Sequence, residues 1–328
     1  MLNTGFDLSK IWQVGDKDFL PLAKMIFEYQ QRYCSVYAKY LSLIGFNNSN
    51  IEKLSDIPFL PIEFFKQHTI QTETFVPEIV FESSSTTGKG ISKHAVYSAN
   101  WYKMACTLSF TQHFGNPSDY CHLALLPGYL ERKNSSLIYQ VQHFIENSKY
   151  AQSGFFLYDF EKLHKAILYN EANKIPTILW GVTFALLQFA DKYKLSLKNT
   201  TVIETGGMKG RGRELVREEL HLILQEAFNC KVIGGEYGMT ELMSQSYSKQ
   251  NGRYYTSNTQ KVIITELNDP FQDVRVGKTG RINVVDLANV HTCSFIATSD
   301  LGKQYSDGSF EVLGRIDHSD LRGCNLLV

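Results

Sequence analysis

The sequence predicts an α/β protein, with a layered body of alternating strands and helices over 1–250 and a β-rich, barrel-like part over 251–314. Three observations predict it. First, the short apolar runs CHLALLP (121–127), GFFLYD (154–159), PTILWG (176–181), TTVIET (200–205) and CKVIGG (230–235) alternate with helix-like segments, the rhythm of a layered α/β domain. Second, after Gly252 the pattern shortens to RYYTS, KVIITEL, GRINVVDL, CSFIAT and FEVLG, separated by Asn, Asp, Gly and Pro, which punctuate strands. Third, 328 residues at 43% hydrophobic content suffice to bury a large core in one or two domains. No internal repeat, low-complexity tract or linker separates the two textures, so the β-rich part is expected to pack directly on the body as one unit.

Along the chain, the first informative stretch is VFESSSTTGKG, residues 80–90. It follows the apolar pair Ile79 and Val80 and precedes a helix expected from about Asn100 to His113, so it reads as a loop between a strand and a helix. Ser84, Ser85, Thr86 and Thr87 supply hydroxyls, Gly88 permits close backbone approach, and Lys89 and Lys93 supply charge, a composition suited to an anion. The same composition is ordinary material for a solvated turn. In the middle of the body, the apolar pattern of LWGVTFALLQF (179–189) fits helical core packing. Further on, RELVREELHLILQEAF (213–228) places Leu215, Val216, Leu220, Ile223 and Ala227 on one side of a helix expected to cover a sheet face.

Charge excludes some partners. Lys plus Arg and Asp plus Glu both number 33, so no overall field favours nucleic acid or an anionic membrane, and a small-molecule or protein partner is expected. The N-terminus lacks a basic segment followed by an apolar run, and no apolar stretch approaches a membrane span; a cytoplasmic protein is expected. Cys34, Cys106, Cys121, Cys230, Cys293 and Cys324 show no CxxC spacing, which argues against a zinc site and a disulfide framework. The nine histidines show no metal-ligand spacing, so most are expected to be structural or exposed.

Four segments in order carry a resemblance. SSTTG (84–88), YGMTE (237–241), TSDLG (298–302) and GRID (314–317) resemble, in that order, the phosphate loop, the Tyr-Gly-x-Thr-Glu motif, the Thr-Gly-Asp motif and the Gly-Arg-x-Asp hinge of the adenylate-forming enzymes. The resemblance covers almost the whole chain. Ser85 and Ser299 stand where that superfamily has glycine. VIETGGMKGRGRE (202–214) falls where it has a glycine-rich turn against the adenine, and GVT (181–183) resembles a Gly-Val-Pro segment of acyl pockets, with Thr183 in place of proline. Within the superfamily, IPFLPIEFFK (57–66), LPGYLERKNSSL (126–137) and TGGMKGRGRE (205–214) look like the acyl-protein synthetase family, the synthetase subunit of bacterial fatty acid reductase complexes.

The resemblance implies that ATP and Mg²⁺ activate a fatty or other carboxylic acid as an acyl-adenylate, and that the acyl group passes to a protein cysteine as a thioester for an acyl reductase partner. It implies that Ser84, Ser85, Thr86, Thr87, Gly88 and Lys89 hold the β- and γ-phosphates. Thr240 would contact the α-phosphate and Glu241 would hold Mg²⁺. Tyr237 with Gly238, Gly206 and Gly207 would lie near the adenine, and Asp300 with Arg315 would take the ribose. The chain reaches Val328 just past GRID, so the mobile C-terminal domain of most adenylate-forming enzymes is expected to be absent and 315–328 to form a hinge-like tail. Cys324 in that tail is the implied acyl acceptor, its thiolate favoured by Arg322, with His318 a weaker candidate for its base. Two alternatives stand beside this reading: a CoA ligase of the phenylacetate type, and a noncatalytic nucleotide-binding subunit of an acyl-transfer complex.

Overall fold

The computed structural model describes residues 4–47, 50–83, 90–127, 134–206, 215–250 and 252–316. Two helices lead the chain, α1 (Asp16–Tyr33) and α2 (Ser35–Leu43). A short strand β1 (Leu60–Pro61), helix α3 (Phe64–Gln67) and a hairpin of β2 (Ile79–Glu82) with β3 (Lys93–Val96) follow. The α/β body then alternates α4 (Ala99–Phe114), β4 (Cys121–Leu125), α5 (Ser136–Asn147), β5 (Gly154–Phe155), α6 (Phe160–Ala172), β6 (Thr177–Val182), α7 (Thr183–Lys192), β7 (Thr200–Thr205), α8 (Arg217–Phe228) and β8 (Gly234–Tyr237). The remaining strands are β9 (Ser246–Ser248), β10 (Arg253–Tyr255), β11 (Gln260–Thr265), β12 (Thr279–Asp286), β13 (Phe295–Gln304) and β14 (Phe310–Arg315).

One 12-stranded sheet runs β11-β12-β13-β14-β10-β9-β8-β7-β6-β4-β5, with β1 added parallel to β13. Strands β4 to β8 pair in parallel, and from β8 to β9 onward the pairing along this path is antiparallel. Every residue of β4 and β6 is buried, because helices cover both faces of a parallel sheet, and this is why those strands read as unbroken apolar runs. Helix starts follow their caps: Ser98, Ser135 and Asp159 accept from the backbone N–H three residues on and begin α4, α5 and α6.

The apolar interior has two centres. The first lies around the parallel strands, with Trp180, Phe110, Phe144, Phe189 and Phe228 fully buried. The second joins α1 and α2 to β11, β12 and β13 through Phe27, Tyr37, Val284 and Phe295. The first helices of the chain therefore pack on its last strands. Buried Gln30 of α1 ties the two: its Nε2 donates to the carbonyls of Asn289 and Val290, both at 3.1 Å, and its Oε1 accepts from Ser294 N–H at 2.9 Å.

Three sequence expectations change. The Ser/Thr-rich stretch joins two paired antiparallel strands, β2 and β3, rather than a strand and a helix; α4 begins only after β3. In 213–228 the helix starts at Arg217, and Leu220, His221, Leu224, Ala227 and Phe228 are its buried residues, whereas Val216 and Ile223 are exposed. Apolar residues occupy more than one face of this helix, so periodicity alone admitted a second phase. Of GFFLYD and CKVIGG, only Gly154–Phe155 and the part from Gly234 onward are strand.

Candidate active site

The YGMTE stretch begins at the last residue of β8 and Gly206 directly follows β7, its parallel neighbour. Both therefore lie at the carboxyl ends of adjacent parallel strands, the usual ligand-binding end of such sheets. Gly206 has φ +67°, a left-handed conformation that only glycine adopts without strain, and its carbonyl accepts from Thr183 Oγ1 at 2.9 Å. A Cβ on Gly238 would stand 2.3 Å from Glu236 Oε1, so glycine there leaves room for that carboxyl.

From the antiparallel side, Asp300 of β13 is paired with Arg315 of β14. Tyr237 Oη donates to Asp300 Oδ2 at 2.8 Å, and Arg315 Nε lies 3.8 Å from Oδ1 with its side chain largely in solvent. Ser299 Oγ donates to Glu63 Oε1 at 2.5 Å, a contact that glycine at this position would not make. Burial pushes the Asp300 carboxyl up, against the Tyr237 hydrogen bond and the Arg315 charge. The Tyr237 hydroxyl is raised well above its usual range by burial and by the carboxylate it touches.

The hairpin closes the site. Ser83 N–H donates to Ser92 carbonyl at 3.0 Å, and Ser92 N–H donates to Ser83 Oγ at 2.9 Å, just before and after the Ser/Thr-rich stretch. Glu241 is buried; burial raises its carboxyl, opposed by a Ser92 hydrogen bond and then by the charges of Arg315 and Lys66. Its carbonyl accepts from Asn289 Nδ2 at 2.8 Å, and the Thr240 carbonyl meets His94 Nδ1 at 2.8 Å. The fold thus brings Gly206, Tyr237, Gly238, Thr240, Glu241, Asp300 and Arg315 together with the ends of the hairpin. Ser84, Ser85, Thr86, Thr87, Gly88, Lys89, Gly207 and Cys324 lie outside the described residues.

Several polar residues here were not singled out in the sequence. Glu204, one residue before the end of β7, lies opposite Gly235 of β8 and meets Arg217 Nε at 3.5 Å; Arg217 also donates to the Val312 carbonyl at 2.9 Å. Glu236 accepts from Thr205 Oγ1 at 2.8 Å. Burial pushes its carboxyl up to about 7, the Thr205 hydrogen bond opposing and the Glu204 charge adding. An acidic residue inside a parallel strand was the available signal, since such strands are otherwise apolar.

Glu236 yields a pH prediction. Its folded-state carboxyl titrates near 7 against an ordinary 4.5, so folding favours its protonated form. Stability from this group is full below pH 4.5 and declines as pH rises to about 7, by at most about 3 kcal/mol. The melting-temperature advantage of Glu236→Gln over the wild type is expected to grow between pH 5 and pH 8. A difference that stays constant across that range would show that Glu236 does not titrate there.

No protein-family model and no curated protein matches the chain. Solved structures do. A 2-hydroxyisobutyryl-CoA ligase with 2-HIB-AMP and CoA shares a TM-score of 0.67 at 14% identity over 92% of this chain and 70% of its own. ATP-bound MatB from Rhodopseudomonas palustris shares 0.55 at 17% identity over 74% of this chain and 49% of its own. The O-succinylbenzoate CoA synthetase MenE from Bacillus subtilis, with ATP and magnesium, shares 0.52 at 18% identity over 72% and 49%. The matched part thus spans about half the length of MatB and of MenE. At these identities the likeness is one of fold, and the fold of this chain is that of the adenylate-forming enzymes.

Proposed function

We propose that this protein is a ligase that uses ATP and Mg²⁺ to activate a carboxylic acid, in particular a fatty acid, as an acyl-adenylate. The acyl group then passes to a protein cysteine as a thioester, in the manner of the acyl-protein synthetases, for delivery to an acyl reductase. The observation that carries the first half is the convergence of Gly206, the YGMTE stretch, the Asp300–Arg315 pair and the hairpin ends at the carboxyl ends of β7 and β8. The fold shared with ligases whose structures hold ATP or an acyl-AMP supports it.

The chemistry fits these residues. A carboxylate oxygen attacks the α-phosphorus and pyrophosphate leaves, so the site must neutralise phosphate charge. Ser84, Ser85, Thr86, Thr87, Gly88 and Lys89 take the outer phosphates in this reading, Thr240 the α-phosphate, Tyr237, Gly238, Gly206 and Gly207 the adenine side, and Asp300 with Arg315 the ribose. Glu241 is the magnesium ligand. Among the described residues no group of three or more His, Cys, Asp or Glu could hold a metal. Glu241 would therefore share the cation with phosphate oxygens, as magnesium sites commonly do.

For the second half, a thiolate attacks the acyl carbonyl and AMP leaves. Among the described cysteines, Cys34, Cys106, Cys121 and Cys293 are buried and Cys230 half-buried. Burial pushes all five thiols up, away from the nucleophilic form. This favours Cys324 as the acceptor within the chain. Labelled fatty acid should enter the protein covalently only with ATP, and neutral hydroxylamine should release it. Cys324→Ser should keep pyrophosphate exchange and lose the label; retained hydroxylamine-sensitive label would move the acceptor elsewhere. A CoA-dependent ligation is the second reading, favoured by the likeness to the ligase whose structure contains CoA. A product formed only with added CoA would select it.

A further inference from the structure

We infer that His94 is a positioning residue: its neutral ring, protonated on Nδ1, locks the Thr240–Glu241 turn to the hairpin that carries the Ser/Thr-rich stretch. The functional half of this inference rests on the nucleotide reading above; the geometric half does not.

His94 lies on β3 and is buried. Its Nδ1 is 2.8 Å from the Thr240 carbonyl, which can only accept, so Nδ1 carries the proton. Its Nε2 lies 3.1 Å from Thr292 Oγ1, and a neutral ring leaves that nitrogen to accept from the hydroxyl. Burial pushes the imidazole down to about 4, which keeps the ring neutral near pH 7. Phe65 of α3 packs edge-on at 5.8 Å and limits its rotation.

The turn needs such a partner. Thr240 and Glu241 lie between β8 and β9, outside the sheet ladder, so their carbonyls depend on side chains. His94 takes one and Asn289 Nδ2 the other. Thr292 links the two, since its hydroxyl contacts His94 and its N–H donates to the Asn289 carbonyl at 2.9 Å. The residues proposed to meet the α-phosphate and Mg²⁺ are thereby held to the strand that follows the Ser/Thr-rich stretch. Lost alignment at such a site costs binding and rate even when the fold survives.

His122 provides an internal contrast. It too is buried and pushed down to about 4 by burial. Its Nε2 meets the Pro117 carbonyl at 2.8 Å and its Nδ1 accepts from Trp180 Nε1 at 3.1 Å. That is the opposite tautomer, and its partners belong to the first core rather than to the turn.

The test combines tautomer and affinity. Nitrogen NMR on histidine-labelled wild type should show His94 as the Nδ1–H and His122 as the Nε2–H form. In Mg·ATP titration calorimetry, His94→Asn, whose amide nitrogen can replace Nδ1, should bind within about threefold of the wild type. His94→Gln, whose amide reaches the Nε2 position instead, should bind at least tenfold more weakly with a melting temperature like that of His94→Asn. His122→Gln should lower the melting temperature without changing affinity. Equal binding by the two His94 variants, or losses that simply track melting temperature, would overturn the inference, as would an Nε2–H form of His94 even if neither variant folds. A wild type that binds no Mg·ATP overturns the nucleotide reading and the functional half of this inference together, leaving the tautomer test to decide the geometric half; wild-type binding unaffected by His94→Gln overturns this inference alone.

Discussion

Glu241→Gln is expected to lower acid-dependent ATP/pyrophosphate exchange by at least about 100-fold, about 3 kcal/mol of transition-state stabilisation. The amide keeps the shape of the side chain and its capacity to accept from Ser92, and the backbone tie from Asn289 to the Glu241 carbonyl is untouched. Only the charge proposed to hold Mg²⁺ is removed. Because burial already penalises the ionised carboxyl, the variant should melt no lower than the wild type. Exchange at the wild-type rate in a folded variant would remove Glu241 from the metal site.

Asp286→Ala is expected to destabilise the fold by about 3–5 kcal/mol, since several buried donors lose a carboxylate acceptor at once. Asp286 Oδ2 accepts from the N–H groups of Met243 at 2.9 Å and Ser244 at 2.8 Å, and Oδ1 accepts from Ser244 Oγ at 2.8 Å and Ala288 N–H at 3.1 Å. These bonds hold the chain that leaves Glu241, so the loss should appear both in urea unfolding and in weakened Mg·ATP binding at low temperature. Asp286→Asn should fall between, because an amide retains one acceptor and presents its NH₂ to donors. A cost below about 1 kcal/mol would mean that water or backbone adjustment satisfies these groups without the carboxylate.

The sequence by itself determined the α/β class and the apolar strand runs. It also determined the order of the four motif segments, because each of these is written in neighbouring residues: an unbroken apolar run marks a buried parallel strand, and a motif is a short string. Periodicity was weaker where apolar residues occupy more than one helix face, as in 213–228, where Val216 and Ile223 turned outward and Leu224 and Phe228 inward. Only the tertiary structure decided which distant residues meet. Thr240 lies 146 positions from His94, and Asp300 63 from Tyr237. Gln30 is tied to strand-flanking residues some 260 positions away. Such pairings arise because each buried carbonyl, carboxyl or amide must find a partner once water is excluded, and that partner is whichever side chain the packing of α1, β3, β8 and β13 delivers. No local pattern encodes that choice; the shared interior of one continuous sheet makes it.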